Sequence, residues 1–504
     1  MKLLSLGHIA FLLEMTRASP TGGDGEPVRI LGDPWLSDHA IGDLLGRFPR
    51  LRFDPRDLGP LDAIFLSHSH TDHFDPPSLI RLWQELTPRP TLILPQSLAY
   101  LATLVREYLD GVEILFLNEN APTPFRGLTL TAFFNPETHA SNEDDVMVLT
   151  VENGREIFVD ESDAALPFYD PDVREILSAS LGNPAMETVC FLTAKNGLDA
   201  SMSMLSALTL EERRGWTARS LDETAQEIFE ICTPLDDADD DLWQNERLVR
   251  LIGGQGMCFP QEVESEWNRV LFPIRLADRV GMEREIAAQL ECRHTIEEFV
   301  PGQIHHLVDG RLETREDASF LTLLDREEER HFDPNLELFD DFPVAPLFDE
   351  PRDRDVQEER ILRRLNERFL PYLIGCRAPP LAELLGTNHG EYRIRVRYGT
   401  TRENLDRDYR MTFERLHFEA TPLRDEPDEF CWANDVEALL DGRCDEFSLF
   451  CRRPLGGKAH RFWASMGMPF LNNDLVEKKL RFHFERTARG ESSRDWVMGF
   501  YGRS

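Results

Sequence analysis

No run in the 504 residues approaches the roughly 20 consecutive apolar side chains that a membrane span needs, so no transmembrane helix is expected. Positive charge is scarce. Against 91 Asp and Glu stand 55 Lys and Arg, a formal net charge of −36. Phosphate backbones and anionic lipid would be repelled, which argues against nucleic acid and acidic membrane surfaces as partners. Paired cysteines are missing too: the eight Cys form no CxxC and no even spacing, as expected of free thiols in a reducing compartment. The opening Met1-Lys2-Leu3-Leu4-Ser5-Leu6 starts like a signal peptide, but His8 and Glu14 interrupt it and no convincing small-x-small site follows. The expected location is the cytoplasm. No internal repeat or low-complexity tract is present.

What the chain does carry is a dense group of metal-ligating side chains in Leu66-Ser67-His68-Ser69-His70-Thr71-Asp72-His73-Phe74-Asp75. The group follows an apolar run from Leu61 to Leu66, read as a strand, and precedes a helical pattern through Leu79, Ile80, Leu82 and Trp83. His68 and His70, two apart at a strand's end, can share one side of the chain. Asp72 and His73 then add a carboxylate and a third imidazole as the helix starts. Such a set suits zinc, and equally iron or manganese. The bland alternative is a polar helix-entry turn with Asp72 as its cap.

HxHxDH after a strand resembles the metallo-β-lactamase superfamily. The N-terminal segments Leu6-Gly7-His8-Ile9-Ala10-Phe11-Leu12-Leu13-Glu14 and Arg29-Ile30-Leu31-Gly32-Asp33-Pro34-Trp35-Leu36 are similar to the opening of one branch. That branch holds L-ascorbate-6-phosphate lactonases, N-acyl-phosphatidylethanolamine phospholipases D and the domain of CMP-N-acetylneuraminate hydroxylases. The resemblance covers residues 1–165 well and 166–310 loosely. It implies an α/β fold, the αβ/βα sandwich, binding one or two divalent transition metals at the edge of its sheets, zinc foremost. It also implies roles. Asp33 would lie beneath the metals and hydrogen-bond the metal-binding loop. His139 would be the next His ligand, and an Asp just after a strand would bridge the metals. Asp163 fits that role because small Ser162 precedes it; Asp160 fits by its distance from the strand. His8, near a strand start, reads first as a structural residue, with a direct site role as the alternative.

Along the chain, residues 3–14 and 28–32 read as two strands. A helix–strand rhythm follows: helix 76–86, strand 91–95, helix 98–108 and strand 112–117. Strand 128–134 leads to His139, and a hairpin spans 147–151 and 156–159 with its turn at Asn153-Gly154. Helical spacing recurs over 267–290, and His305 and His306, adjacent on a strand, would face opposite ways. The acidic, proline-punctuated stretch 311–352 reads as a linker between a metal-binding domain, 1–310, and a C-terminal α+β domain, 353–504, through which homo-oligomers could form. In the latter, Tyr392 to Tyr398 alternates with three arginines on one side, 410–418 alternates too, and helices are expected over 355–370, 435–440 and 474–484.

No His lies between His139 and His294, where many relatives carry a last ligand. The gap has three candidate remedies: Glu137, two residues before His139; a distant His294 or His389; or a weak second site. The foremost functional expectation is a hydrolase acting on an ester, amide, lactone or phosphodiester of a small-molecule substrate through a metal-activated water, with Asp72 orienting it or carrying its proton. The alternative is a diiron oxygenase. Cys292-Arg293-His294 gives only half of a Rieske signature, so that enzyme would need an external electron donor.

Overall fold

The computed structural model describes residues 1–17, 25–40, 45–134, 146–167, 170–194, 245–254, 257–258, 275–325, 346, 352–376, 381–382, 385–386, 389–399, 405–424, 427–441 and 473–491, with isolated positions between 211 and 228. Its first sheet begins with β1 (Lys2–Ser5), β2 (Phe11–Thr16), β3 (Pro27–Gly32), β4 (Ala63–Phe65), β5 (Thr91–Pro95) and β6 (Ile114–Leu117). The second contains β7 (Thr123–Phe125), β8 (Leu128–Phe134), β9 (Met147–Glu152), β10 (Glu156–Ser162), β11 (Thr188–Ala194), β12 (Leu248–Gly253) and β13 (Thr295–Glu298). β14 (Gln303–Val308) and β15 (Arg311–Asp317) then return to the first, whose order is β15-β14-β1-β2-β3-β4-β5-β6.

Side chains along these strands alternate between two cores. Leu3, Phe11, Leu13, Ala63 and Phe65 pack between the sheets, joined from the second sheet by Leu130, Leu149, Phe158, Leu192 and Leu251. Their neighbours Leu4, Leu12 and Ile64 enter a separate core with α1 (Pro76–Glu85) and α2 (Ala102–Tyr108). Burial on both faces is why such strands read as unbroken apolar runs. α3 (Pro171–Leu181) covers the second sheet through Val173 and Leu177, and α4 (Leu276–Gln289) covers it through Val280 and Ala287. Helix, sheet, sheet, helix is the expected αβ/βα sandwich.

Two local readings change. Residues 3–14 are a hairpin, not one strand: Gly7 and His8 take positive φ, 86° and 50°, and Leu6 N donates to Ala10 O at 2.8 Å. Glycine inside a strand pattern was the available sign of that break. In the expected linker, residues from 311 form β15 against β14, and Thr322–Leu323 pairs with Leu51–Arg52.

The C-terminal sheet is four-stranded. It contains β16 (Glu391–Tyr398), β17 (Leu405–Thr412), β18 (Glu419–Thr421) and β19 (Glu429–Trp432), in the order β18-β17-β16-β19. The strand expected over 410–418 ends at Thr412 because Arg415 N turns back to Thr412 O at 3.1 Å. The arginine row of β16 is answered across the ladder, Arg395 by Asp408 at 2.7 Å and Arg397 by Asp406 at 2.8 Å. Helix α5 (Arg354–Arg364) is tied to α6 (Ala433–Leu440) by Gln357, which donates to Asn434 Oδ1 at 2.7 Å. The last helix, α7 (Asn473–Ala488), packs elsewhere. Its Val476, Leu480 and Phe484 complete the core over α1 and α2.

Candidate metal centre

β4 ends at Phe65, and Leu66 N donates to Ile93 O at 3.2 Å as the chain leaves the sheet. The backbone then coils: His73 N and Phe74 N both donate to His70 O, at 3.0 and 2.6 Å. That turn brings His73 back beside His68. The helix waits for Asp75, the cap, which accepts from Ser78 N at 3.2 Å and Ser37 N at 3.3 Å. Asp72, the other candidate cap, is thereby left for the site.

His68 and His73 are buried and His70 half-buried, with ring centroids 4.3 Å apart for His68 and His70 and 4.1 Å for His68 and His73. Asp163 Oδ2 stands 3.7 Å from His68 Nε2 and 3.2 Å from His73 Nε2. Asp72 Oδ2 stands 3.7 Å from His73 Nε2. These residues fall into overlapping triads whose ligand atoms lie within 4.8 Å of one another: His68, His70 and Asp163; Asp33, His68 and His73; His8, Asp72 and His73.

Beneath them Asp33 ties the pieces together. Its Oδ1 accepts from Ser67 N at 2.8 Å, and its Oδ2 meets Ser67 Oγ at 2.6 Å, His73 Nδ1 at 2.8 Å and Ser162 Oγ at 3.2 Å. A carboxylate on Nδ1 leaves Nε2 of His73 as the nitrogen facing the site. Ser162 reaches this network because the β10–β11 register shifts between Asp160 and Ser162, and Ser162 takes φ 45°. A bulge of this kind re-aims the next side chain, here Asp163. Asp160 is set aside by the same shift. Its Oδ1 accepts from Ser162 N at 3.1 Å, and it belongs to no ligating group among the described residues.

The electrostatics follow from burial and crowding. Burial drives the His68 pKa well below its ordinary value, and the neighbouring His73, His70 and His8 add to the effect, which keeps the ring neutral as a ligand must be. Burial pulls His73 the same way, but Asp163, Asp72 and Asp33 overcome it and raise that ring well above the usual value. Burial would raise Asp72 and Asp163; His73 instead holds both below the usual carboxylate range, with His8 adding to its effect. His68 Nε2 and Asp72 Oδ1 are buried with no hydrogen-bond partner among the described residues. Unpaired buried polar atoms cost about 1–3 kcal/mol each, and ligation of a divalent cation by such an atom would satisfy it. The donor set fits one.

Of the expected ligands, the structure gathers His68, His70, Asp72, His73 and Asp163. Glu137 and His139 lie outside the described residues. His294 opens the approach to β13 and His389 precedes β16; neither joins a ligating group among the described residues. His8, read first as structural, stands in the site with Nε2 3.1 Å from Asp72 Oδ2.

The family model of the β-lactamase superfamily domain matches residues 28–160, from β3 through the histidine loop to β10. Over that quarter of the chain the sequence is similar to β-lactamase superfamily domains. Among named relatives, a Mycolicibacterium smegmatis protein whose name assigns it to the Rieske 2Fe-2S iron-sulfur proteins is 33% identical over 81 residues, 16% of this chain and 14% of that protein. A UPF0173 metal-dependent hydrolase of Opitutus terrae is 36% identical over 73 residues, 14% of this chain and 23% of that one. The match thus spans under a quarter of either relative. Among solved structures, the diiron β-hydroxylase CmlA of Streptomyces venezuelae superposes at TM-score 0.35 with 13% identity, covering 64% of this chain and 54% of CmlA. The metallo-β-lactamase fold protein YhfI of Bacillus subtilis gives 0.30 and 12%, covering 60% and 99%. Superpositions this loose say nothing of the reaction. No helix among the described residues is long and apolar enough to cross a membrane.

Proposed function

We propose that the protein is a metal-dependent hydrolase of a small-molecule ester, amide, lactone or phosphodiester, working at the centre formed by His68, His70, Asp72, His73 and Asp163. The observation that carries this reading is the gathering of His and Asp donors into overlapping groups at the sheet edge, with His68 Nε2 and Asp72 Oδ1 lacking hydrogen-bond partners among the described residues. A cation bound there supplies Lewis acidity and makes a water acidic near neutral pH. The chain's own part is to keep the His68 ring neutral and the Asp72 and Asp163 carboxylates ionised. Asp72 then orients the water and takes up its proton. The matched segment of the Opitutus protein, named a metal-dependent hydrolase, supports the same class.

The competing reading is a diiron oxygenase fed by an external electron donor. It is favoured by the absence of any His between His139 and His294, which leaves the centre rich in carboxylate. The name of the Mycolicibacterium relative points the same way.

One experiment separates them. Purified protein is loaded in parallel with zinc, manganese and ferrous iron, then offered nitrophenyl esters, a phosphodiester and lactones, while oxygen uptake is followed with a chemical reductant present. Turnover that a chelator abolishes in the zinc or manganese form supports the hydrolase. Reductant-dependent oxygen uptake by the iron form alone, with no hydrolysis, overturns it.

A further inference from the structure

We infer that His8 is itself a metal ligand, the nitrogen that completes the site it shares with Asp72 and His73. The inference rests on the metal-centre reading above. In this set the donor separations are 3.1 Å from His8 Nε2 to Asp72 Oδ2 and 3.7 Å from there to His73 Nε2, and the three ligand atoms lie within 4.8 Å of one another. Tetrahedral ligands about 2.0–2.1 Å from zinc stand roughly 3.3 Å from one another. The spacing therefore matches a coordination shell. Without His8, this group would supply only the two protein donors Asp72 and His73.

The backbone around His8 is built to hold it there. Gly7 and His8 both take left-handed φ, so the β1–β2 connection reverses sharply and leaves His8 at the sheet edge. His8 O accepts from Gly254 N at 2.9 Å, which fastens the turn to the end of β12. The ring is buried, and Trp35 meets it edge-on with centroids 5.3 Å apart. A histidine placed at such cost of backbone strain, in contact with a metal-binding carboxylate, is doing more than filling space.

The alternative role is that His8 Nε2–H only donates to Asp72 and steers it. Zinc content and affinity of the full-length protein distinguish the two, read beside the nitrogen resonances of selectively 15N-labelled histidine. Wild-type protein should retain two zinc ions per chain; His8→Ala and His8→Gln should retain one. The second zinc should weaken by more than the ~10–100-fold that loss of an outer-shell partner costs. In the wild type, His8 Nε2 should lose its proton signal as the second zinc binds. Two zinc ions of unchanged affinity in both variants, or a His8 Nε2 that keeps its proton in the loaded protein, overturns the inference. If the variants do not fold, the wild-type resonances decide. Wild-type protein that binds no metal at all would sink the metal centre as a whole, a result distinct from failure of His8 alone.

Discussion

Asp33 and His73 form a buried pair, Oδ2 to Nδ1 at 2.8 Å, and that pair sets which nitrogen of His73 looks into the site. The same carboxylate positions Ser67 at the start of the histidine loop and Ser162 before Asp163. Asp33→Asn should therefore weaken metal binding by about 10–100-fold while the sheet remains folded. Competition with a chromophoric chelator measures this; unchanged affinity would show that Asp33 is dispensable to the centre.

The histidine loop is also braced from the far end of the chain. Phe484 of α7 is fully buried, lies edge-on to Phe74 at 6.4 Å and stacks on Tyr108 at 4.9 Å. Phe74 is the residue after His73. Phe484→Ala should cost about 3–5 kcal/mol in denaturant unfolding, because a buried aromatic leaves a cavity. A fragment ending before α7 should be poorly soluble, since Leu79, Leu104 and their neighbours would lose their cover. A well-behaved fragment would show that the core over α1 and α2 needs nothing from α7.

His305 gives a pH dependence away from the site. Burial, with Arg315 adding to it, pushes its pKa from 6.5 down to about 4, against hydrogen bonds from the ring to backbone carbonyls. The unfolded chain takes up a proton near 6.5 that the folded chain refuses until about 4. Its contribution to stability is therefore full above pH 6.5 and is lost as pH falls toward 4, on the order of 2 kcal/mol over that window. Chemical unfolding at pH 7 and pH 4.5 should show a smaller acid loss in His305→Gln than in wild type. Equal losses would place the acid sensitivity elsewhere.

How much of this could be read beforehand depended on how local the cause was. The histidine loop, Asp33 beneath it and the alternating strands were legible because each follows from spacing within a few residues. Between Asp163 and Asp160 small Ser162 favoured Asp163, but the register shift between β10 and β11 that sets the two apart is a property of the pairing and could not be read. His8 was hidden by its neighbours: Leu3 to Leu13 are apolar enough to read as one strand, and only Gly7 marks the reversal that puts the ring in the site. The return of α7 to α1 and α2 was invisible for a related reason. Its apolar stripe shows that a face is buried, not which part of the chain buries it.

The metal centre itself is tested most directly by mass spectrometry of metal content in the purified full-length protein, wild type beside the His68→Ala, His70→Ala double variant. Wild type should carry at least one equivalent of zinc, iron or manganese per chain. The double variant should carry clearly less metal than wild type, with its fold intact by circular dichroism, because it loses two imidazoles of the cluster and keeps the Asp33 network. A double variant that holds the wild-type amount would place the metal elsewhere in the molecule and contradict the site described above.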